Sequence, residues 1–311
     1  MRGLLDGWRK FWFDPQSTAT LGVVRIAYGI VALGWTISLA PDLNTFFTRT
    51  GIVPTQPSVR WWFDPLNNFQ SNLALYICYA VLIVGCVALL VGYRTRLASI
   101  VVFLGILTLE RRNPFIFNSG DLLVRNLALF IMLAPAGASL SLDRWLKDRA
   151  HFWEHPARAP WALRMIQIQI SVTYLATVWA KVRGTTWNDG TAVSYALRIG
   201  DLQRFHVPGW LTHNIVAANL MTYGTLALEA SLAILVWNRK ARPYVLWLGV
   251  LMHTLIALNI IVGFFSMAIL TSYLSFVPPD TMESVIDRVR RRRQRRRAAP
   301  AENVVVSPAA T

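Results

Sequence analysis

The chain has 311 residues, of which 54% are hydrophobic and 15% are charged, and its formal net charge is +15. Because ordinary soluble domains carry about 25% charged residues, this composition favours an integral membrane protein. The positive charge does not indicate nucleic-acid binding. Eight arginines are concentrated between Arg288 and Arg297, and neither an aromatic binding platform nor a known motif accompanies them.

Residues 1–16 predict an amphipathic helix that lies on the membrane surface. Arg9 and Lys10 are interspersed with apolar side chains, namely Leu4, Leu5, Trp8, Phe11 and Trp12. A helix with one apolar and one basic face binds at the membrane interface without crossing the bilayer.

Residues 17–279 contain eight apolar segments and predict an all-α bundle of eight transmembrane helices. A perpendicular span needs roughly 20 apolar residues, and several of the segments are shorter than this. The segments are 18–39, 72–92, 97–109, 122–136, 161–182, 215–237, 243–262 and 264–277.

The distribution of basic residues predicts the orientation of the bundle. Lys and Arg precede the first segment and follow the last, and they also occur in every second connecting loop. Short cytoplasmic loops are enriched in Lys and Arg. We therefore expect a multi-pass protein of the plasma membrane with both termini in the cytoplasm.

Five ionisable residues lie inside or at the end of these apolar segments: Arg25, Arg125, Lys181, Glu229 and His253. A charge at mid-bilayer is costly, so we expect these groups to face one another or a polar cavity. Arg25, Arg125 and Glu229 are interpreted as structural ion-pairing residues. Either Glu229 or Asp121 could be the partner of Arg25.

The loops on the opposite, extracytoplasmic side combine aromatic residues, prolines and charges. Loops of this kind predict a packed site rather than solvated linkers. Residues 41–71 contain Trp61 and Trp62, and residues 110–121 contain Arg111, Arg112 and Asp121. The two arginines are either a solvated loop pair or a bidentate clamp for a carboxylate or another anion.

Three stretches carry a resemblance to a known family. In the first, Gln169, Tyr174 and Lys181 are followed by Trp187 and by Asn188-Asp189-Gly190. In the second, His253 precedes Gly263 and Phe265-Ser266, and in the third, Trp12-Phe13-Asp14-Pro15 precedes Val24-Arg25-Ile26 and Gly29. In the order and spacing of these residues, the chain resembles the HTTM family over about residues 8–280. This family shares its membrane domain with the vitamin K-dependent gamma-carboxylase.

The resemblance implies a carboxylase-like enzyme (a lyase) with an extracytoplasmic site and a reduced quinone of the vitamin K type. In the carboxylase, the lysine that matches Lys181 is the base that acts on the quinol. Loss of hydration at a membrane boundary disfavours the ammonium form, which leaves an amine able to accept a proton. We predict His253 as the second catalytic residue. The predicted substrate-binding residues are Arg111, Arg112, Asp121, Gln169, Tyr174, Trp187 and Asp189.

Two features of the carboxylase have no counterpart in this sequence. The loop matched by residues 118–121 contains no histidine, and a basic tail follows the spans where the carboxylase has a large lumenal domain. The alternative function is that of a non-catalytic membrane protein for peptide export, peptide maturation or membrane assembly. A transporter is less favoured, because the buried charges cluster toward one face.

The site residues also have simpler interpretations. Lys181 could be a lysine that extends from a helix end to the interface, and His253 could be a hydrogen-bonded packing residue. The segment Asn188-Asp189-Gly190 is typical of a turn. No metal site is predicted, because the five histidines are scattered along the chain.

Residues 280–311 predict a disordered, basic, cytoplasmic tail. The tail either reinforces the orientation or binds anionic lipid headgroups, at about 1 kcal/mol per basic residue near the surface. The expected partners are therefore the bilayer, its anionic lipids, a quinone, and an extracytoplasmic peptide or small molecule.

Overall fold

The computed structural model describes residues 2–52 and 71–298, and the fold of these residues is all-α, as predicted. Residues 53–70, with the predicted aromatic residues Trp61 and Trp62, and residues 299–311 lie outside the described chain. The helices are α1 (Arg2–Phe13), α2 (Ala19–Ser38), α3 (Leu43–Phe47), α4 (Asn72–Val91), α5 (Thr95–Arg112), α6 (Ser119–Leu133), α7 (Leu142–Lys147), α8 (Trp161–Lys181), α9 (Thr185–Asn188), α10 (Ala192–Ala196), α11 (Gly209–Thr212), α12 (Ile215–Ile234), α13 (Arg242–Asn259), α14 (Phe265–Tyr273) and α15 (Pro279–Ala298).

Eight of these helices correspond to the eight predicted segments. Three are long and apolar enough to cross a membrane: α2, α4, and α12 together with the 3-10 turn that extends it to Trp237. The largest differences from prediction are at α5, which is longer than segment 97–109, and at α14, which has nine residues and continues as a 3-10 turn.

Local capping explains where several helices begin and end. The side chain of Asn118 accepts a hydrogen bond from the Gly120 amide, and Asp121 accepts one from the Asn118 amide, so α6 begins with a capping box. Helix α4 begins at the N-cap Ser71 and ends at Gly92, whose φ of +73° is a left-handed conformation that favours glycine.

Small residues allow the central helices to approach one another closely. A Cβ atom added to Gly29 of α2 would lie 2.8 Å from the Leu90 Cα of α4. On the outer surface of α4, Leu73, Ile77 and Val84 are all more than half exposed. These three residues share one helical face, as expected of a face in contact with lipid rather than water.

The N-terminal helix α1 contacts the bundle through Phe11, near its C-terminal end. The Phe11 ring lies 6.0 Å from the Trp237 ring, and the Arg164 guanidinium of α8 lies 4.9 Å from the Phe11 ring. Nearer the N-terminus, the apolar side chains of Leu4, Leu5 and Trp8 are 82%, 61% and 61% exposed. A two-stranded antiparallel sheet follows, in which β1 (Gln16–Ser17) pairs with β2 (Ala157–Arg158).

The structure differs from the sequence-based prediction at the C-terminal tail, where residues 279–298 form helix α15. Met282 and Ile286 are buried against Ala19 of α2, and the Arg290 guanidinium lies 5.4 Å from the Trp153 ring. Residues four apart lie on one face of a helix, so this apolar pair anchors the basic helix to the bundle.

Candidate functional site

Lys181, at the C-terminal end of α8, forms an ion pair with Glu229 of α12. The side chains of the two residues are 22% and 9% exposed. The ammonium group also lies 4.6 Å from the centroid of the Trp187 ring, at a distance typical of cation–π contacts. Lys181 is therefore held between a carboxylate and an aromatic face.

A second polar group, formed by Tyr174, His253 and Tyr273, lies deeper in the bundle. The Tyr174 hydroxyl lies 2.8 Å from His253 Nε2 and is also hydrogen-bonded to the Tyr273 hydroxyl. All three residues are less than 5% exposed. Since α8, α13 and α14 each contribute one residue, the hydroxyl of Tyr174 joins three helices.

The ion pair and the deeper group form one cluster, which we call the polar centre: Tyr174, Lys181, Glu229, His253 and Tyr273. Lys181 interacts electrostatically with His253, and Glu229 interacts electrostatically with both tyrosines. Three buried polar atoms at or beside the polar centre have no hydrogen-bond partner among the described residues: His253 Nδ1, Glu229 Oε2 and Ser266 Oγ. Buried polar atoms usually have a partner, so these three are available to a bound molecule.

The first turn of α6 reaches the polar centre through Phe265. The Phe265 and His253 rings are 5.5 Å apart. On its other side, Phe265 packs so closely on Gly120 that a Cβ atom added to Gly120 would lie 2.8 Å from the Phe265 Cβ. One aromatic side chain therefore separates the first turn of α6 from His253.

The structure does not bring the predicted clamp of Arg111, Arg112 and Asp121 together around an open anion site. Arg112 is 6% exposed, and its Nε donates to the Phe47 carbonyl at 2.8 Å. Asp121 caps α6 and accepts a 2.8 Å hydrogen bond from the Trp35 indole. Arg111 is half-buried at the end of α5. Arg112 and Asp121 thus hold the chain around α6 in place.

Two further predicted wall residues lie away from the polar centre. Asp189 is exposed, and the turn after α9 continues at Gly190 with a φ of +71°. The Gln169 amide contacts Thr173 on its own helix at 3.4 Å. Helical spacing explains the second case, because Gln169 and Thr173 share a face that differs from that of Tyr174.

The remaining buried charges are held in different ways. Arg125 of α6 forms an ion pair with Glu110 of α5. Arg25 is fully buried, and its Nη2 donates to the Leu140 carbonyl at 2.6 Å. Neither Glu229 nor Asp121 is the partner of Arg25, in contrast to the prediction, because both carboxylates are committed to other residues.

An apolar groove of about 460 Å³ on the outer surface reaches one residue of the polar centre, Tyr273. Its walls come from α2, α13, and α14 with the 3-10 turn that follows, and Leu246, Val250 and Leu270 are among the lining residues. Tyr273 also lines the groove, and its hydroxyl is bonded to Tyr174. A lipid-soluble molecule could therefore approach the polar centre from the bilayer.

Sequence reasoning missed two residues of these polar clusters, Tyr273 and Glu110. Tyr273 lies seven residues after Ser266, and this spacing puts both residues on the same face of α14. The sequence predicts that Glu110 begins a loop, whereas in the structure it lies within α5, which continues to Arg112. Helical spacing along α14 could have identified Tyr273, and continuation of the apolar segment of α5 could have identified Glu110.

The chain was compared with protein families, with curated proteins and with solved structures. No curated protein and no solved structure gives a significant match. The model of the HTTM domain matches residues 13–281, close to the region of about 8–280 in which the resemblance was recognised. This match covers most of the sequence, and the chain therefore belongs to the HTTM domain family.

Proposed function

We propose that eight helices cross the plasma membrane and that both termini lie in the cytoplasm. Three helices have the length and apolarity that a span needs. Basic residues supply the orientation, because Arg94 and Arg96, Arg144 and Lys147, and the arginines of α15 fall at one end of an eight-span bundle. On this topology Lys181 lies near the extracytoplasmic surface.

We further propose that the polar centre is the active site of a quinol-coupled, carboxylase-like enzyme. The observation that carries this proposal is the Lys181–Glu229 pair beneath Trp187, adjoining the buried tyrosines and His253. Ionisable residues inside membrane spans are rare and usually functional.

In this proposal Lys181 accepts the substrate proton at Nζ. The ammonium–carboxylate pair is the resting, charged form, so Lys181 must first transfer a proton to Glu229 or to water. Glu229 has a second carboxylate oxygen without a hydrogen-bond partner among the described residues, which leaves it able to take part in this transfer. Trp187 covers the ammonium and limits its exposure to water.

The residues of the polar centre fit a reduced quinone. The apolar groove accepts a hydrophobic ring and tail, and His253 Nδ1 and Ser266 Oγ are buried polar atoms that can bond its hydroxyl groups. The chemistry that a bound quinol supplies there is an ionisable hydroxyl and reducing electrons. Tyr174 orients His253 through the hydrogen bond to Nε2 and so determines which ring nitrogen faces the ligand.

The test is quinol oxidation by the protein in nanodiscs, followed by the absorbance of a reduced naphthoquinone under air. Fixation of labelled carbon dioxide into a glutamate-containing peptide is measured in parallel. The wild-type rate should exceed that of Lys181→Ala by at least the 10² typical of a lost acid–base group. Arg183→Ala is the matched control, because this neighbouring exposed cation contacts Trp179 rather than the polar centre. Equal rates for the wild type and Lys181→Ala would refute the enzyme proposal.

The second candidate is a non-catalytic protein for peptide export, peptide maturation or membrane assembly. It is favoured by the commitment of Arg112 and Asp121 to structural hydrogen bonds, which removes two predicted substrate contacts. A purified protein that carries no quinone and oxidises none, yet whose deletion impairs secretion of a peptide, would support this candidate.

The proposed partners at the cytoplasmic side are anionic lipids. Arg288, Arg291 and Arg292 of α15 are exposed, and they follow the anchoring residues Met282 and Ile286 on the same helix. Each basic residue near an anionic surface contributes about 1 kcal/mol to binding.

A further inference from the structure

A groove of about 590 Å³ lies at the opposite end of the bundle from Lys181 on the proposed topology. It is formed where the first residues of α5 and α8 meet the chain that follows α6. Its walls combine apolar side chains with two arginines, Arg96 and Arg158. Neither arginine belongs to the polar centre or to α15.

Both arginines are exposed and are fixed by the fold. Arg96 Nη1 donates to the Met132 carbonyl at the end of α6 at 2.7 Å. The backbone of Arg158 pairs with that of Gln16 in the two-stranded sheet, and Arg158 Nη1 donates to the Ala157 carbonyl at 3.1 Å. A guanidinium has further N–H donors beyond the one that each of these contacts uses, so both side chains can bond an anion.

The acidic residue of the groove, Asp143, is already engaged. Its carboxylate accepts hydrogen bonds from the Arg94 amide at 2.6 Å, the Thr95 amide at 2.8 Å and the Thr95 hydroxyl at 2.7 Å. Asp143 therefore caps α5 instead of pairing with Arg96 or Arg158. The two guanidiniums outnumber this one carboxylate, which gives the groove a positive potential.

The rest of the groove suits a lipid better than a water-soluble anion. Leu133 lines it and is 40% exposed, so the groove continues onto an apolar outer surface of α6. Trp161, at the first turn of α8, also lines the groove, and tryptophan is enriched at the level of lipid headgroups.

We infer that this groove binds one anionic phospholipid, with its phosphate between Arg96 and Arg158 and an acyl chain along Leu133. Guanidinium groups bind phosphate oxygens through charge-assisted hydrogen bonds, and basic pockets between transmembrane helices bind anionic headgroups. The site is separate from the basic helix α15 and does not depend on any reaction at Lys181.

The test uses native mass spectrometry of the full chain in detergent, titrated with short-chain phosphatidylglycerol. Phosphatidylcholine with the same acyl chains and inorganic phosphate are titrated separately. We expect stoichiometric binding of phosphatidylglycerol and much weaker binding of the other two. The double variant Arg96→Gln/Arg158→Gln should weaken phosphatidylglycerol binding about thirtyfold, as loss of two basic residues near a headgroup predicts.

The matched control is Arg239→Gln/Lys240→Gln, which removes two exposed charges from another loop on the same side. It should leave the dissociation constant unchanged. Equal losses in the two double variants would overturn the inference, because they would show diffuse attraction to the whole basic surface. Tight binding of inorganic phosphate alone would overturn the lipid assignment. If the groove double variant fails to fold, Ala159→Trp provides a second test, because it fills the groove without removing a charge.

Discussion

Lys181 and Glu229 form an ion pair that joins α8 to α12 across 48 residues of sequence. The Trp187 ring covers the ammonium, and one carboxylate oxygen of Glu229 is buried without a hydrogen-bond partner among the described residues. Each charge of the pair therefore depends on the other. This dependence determines what substitutions of Lys181 are expected to do.

Lys181→Ala should lower the free energy of unfolding by about 3 kcal/mol, because it leaves the Glu229 carboxylate buried without its cation. The sequence alone predicts a small effect, since a lysine at the end of a span is easily hydrated. Thermal unfolding of the purified variant in detergent measures this loss. An unchanged melting temperature would show that the pair is open in solution.

The double variant Lys181→Ala/Glu229→Gln should recover part of this stability, because neither charge of the pair remains in the bundle.

Lys181→Arg should remain folded, since a guanidinium also pairs with Glu229. It should not oxidise quinol, because the guanidinium does not give up its proton. Full activity in Lys181→Arg would mean that the residue anchors a charge and is not a base.

Tyr174→Phe should cost about 1–3 kcal/mol, because one hydroxyl serves two buried partners. The change leaves His253 Nε2 and the Tyr273 hydroxyl without the group that bonds both of them. The melting temperature measures the loss of stability, and quinol affinity measures the loss of orientation at His253. The matched control is Tyr244→Phe on α13, because Tyr244 is 71% exposed and its hydroxyl has no partner among the described residues.

The sequence predicts the helices of this fold well and their side-chain partners poorly. Hydropathy locates α4 within one residue, because an uninterrupted apolar run between Ser71 and Gly92 has few other stable forms in a membrane. By contrast, the partner of Arg25 is the backbone carbonyl of Leu140, which side-chain chemistry does not reveal. The rotation of each helix about its axis decides such pairs, and a single sequence constrains that rotation weakly.

The candidate site shows the same division. The spacing of Tyr174 and Lys181 along α8 predicts that they lie on one side of the helix, and both belong to the polar centre. The sequence does not assign the partner helices, because it leaves open whether Glu229 or Asp121 pairs with Arg25. The basic composition of the tail predicts disorder, but the four-residue spacing of Met282 and Ile286 gives it an apolar face that packs on the bundle.

Truncation should distinguish the anchored part of α15 from its basic end. Deletion of residues 288–311 should change stability little, because among the described residues it removes one cation–π contact, between the half-buried Arg290 and Trp153, worth about 1 kcal/mol. Deletion of residues 280–311 should cost about 3–6 kcal/mol, since Met282 and Ile286 are buried. Equal melting temperatures of the two truncated proteins would contradict the anchoring of α15.

The contribution of His155 to the stability of the protein should be lost as the pH falls below about 6.5. Burial lowers the pKa of His155 from its usual 6.5, although Glu283 and Asp287 of α15 act in the opposite direction. Because the unfolded chain takes up this proton first, the contribution of His155 is fully present above pH 6.5 and is lost as the pH falls through the lowered pKa. Melting temperatures between pH 5 and pH 8 measure the slope, and His155→Gln should reduce it.

His151 provides a control of opposite sign. The pKa of this exposed histidine is raised by its hydrogen bond to Asp148, so its contribution is present below pH 6.5 and is lost as the pH rises. His151→Gln should therefore not reduce the loss of stability in acid. If His151→Gln and His155→Gln shift the pH profile in the same direction, the assignment to His155 is wrong.

Gly249→Ala should disturb the polar centre without altering any polar group. A Cβ atom at Gly249 would lie 2.8 Å from the Tyr273 hydroxyl oxygen and 3.0 Å from Leu232 Cδ2, so the hydroxyl that bonds Tyr174 must shift. Overpacking of this kind costs about 1–3 kcal/mol.

The control is Gly224→Ala on α12, where nothing lies within 4 Å of the added atom. This substitution should stabilise the helix by about 0.5–1 kcal/mol. Opposite shifts in melting temperature, with weaker quinol binding only in Gly249→Ala, are the expected result. A stabilised Gly249→Ala variant with unchanged binding would show that the contact between Tyr174 and Tyr273 is not needed to form the site.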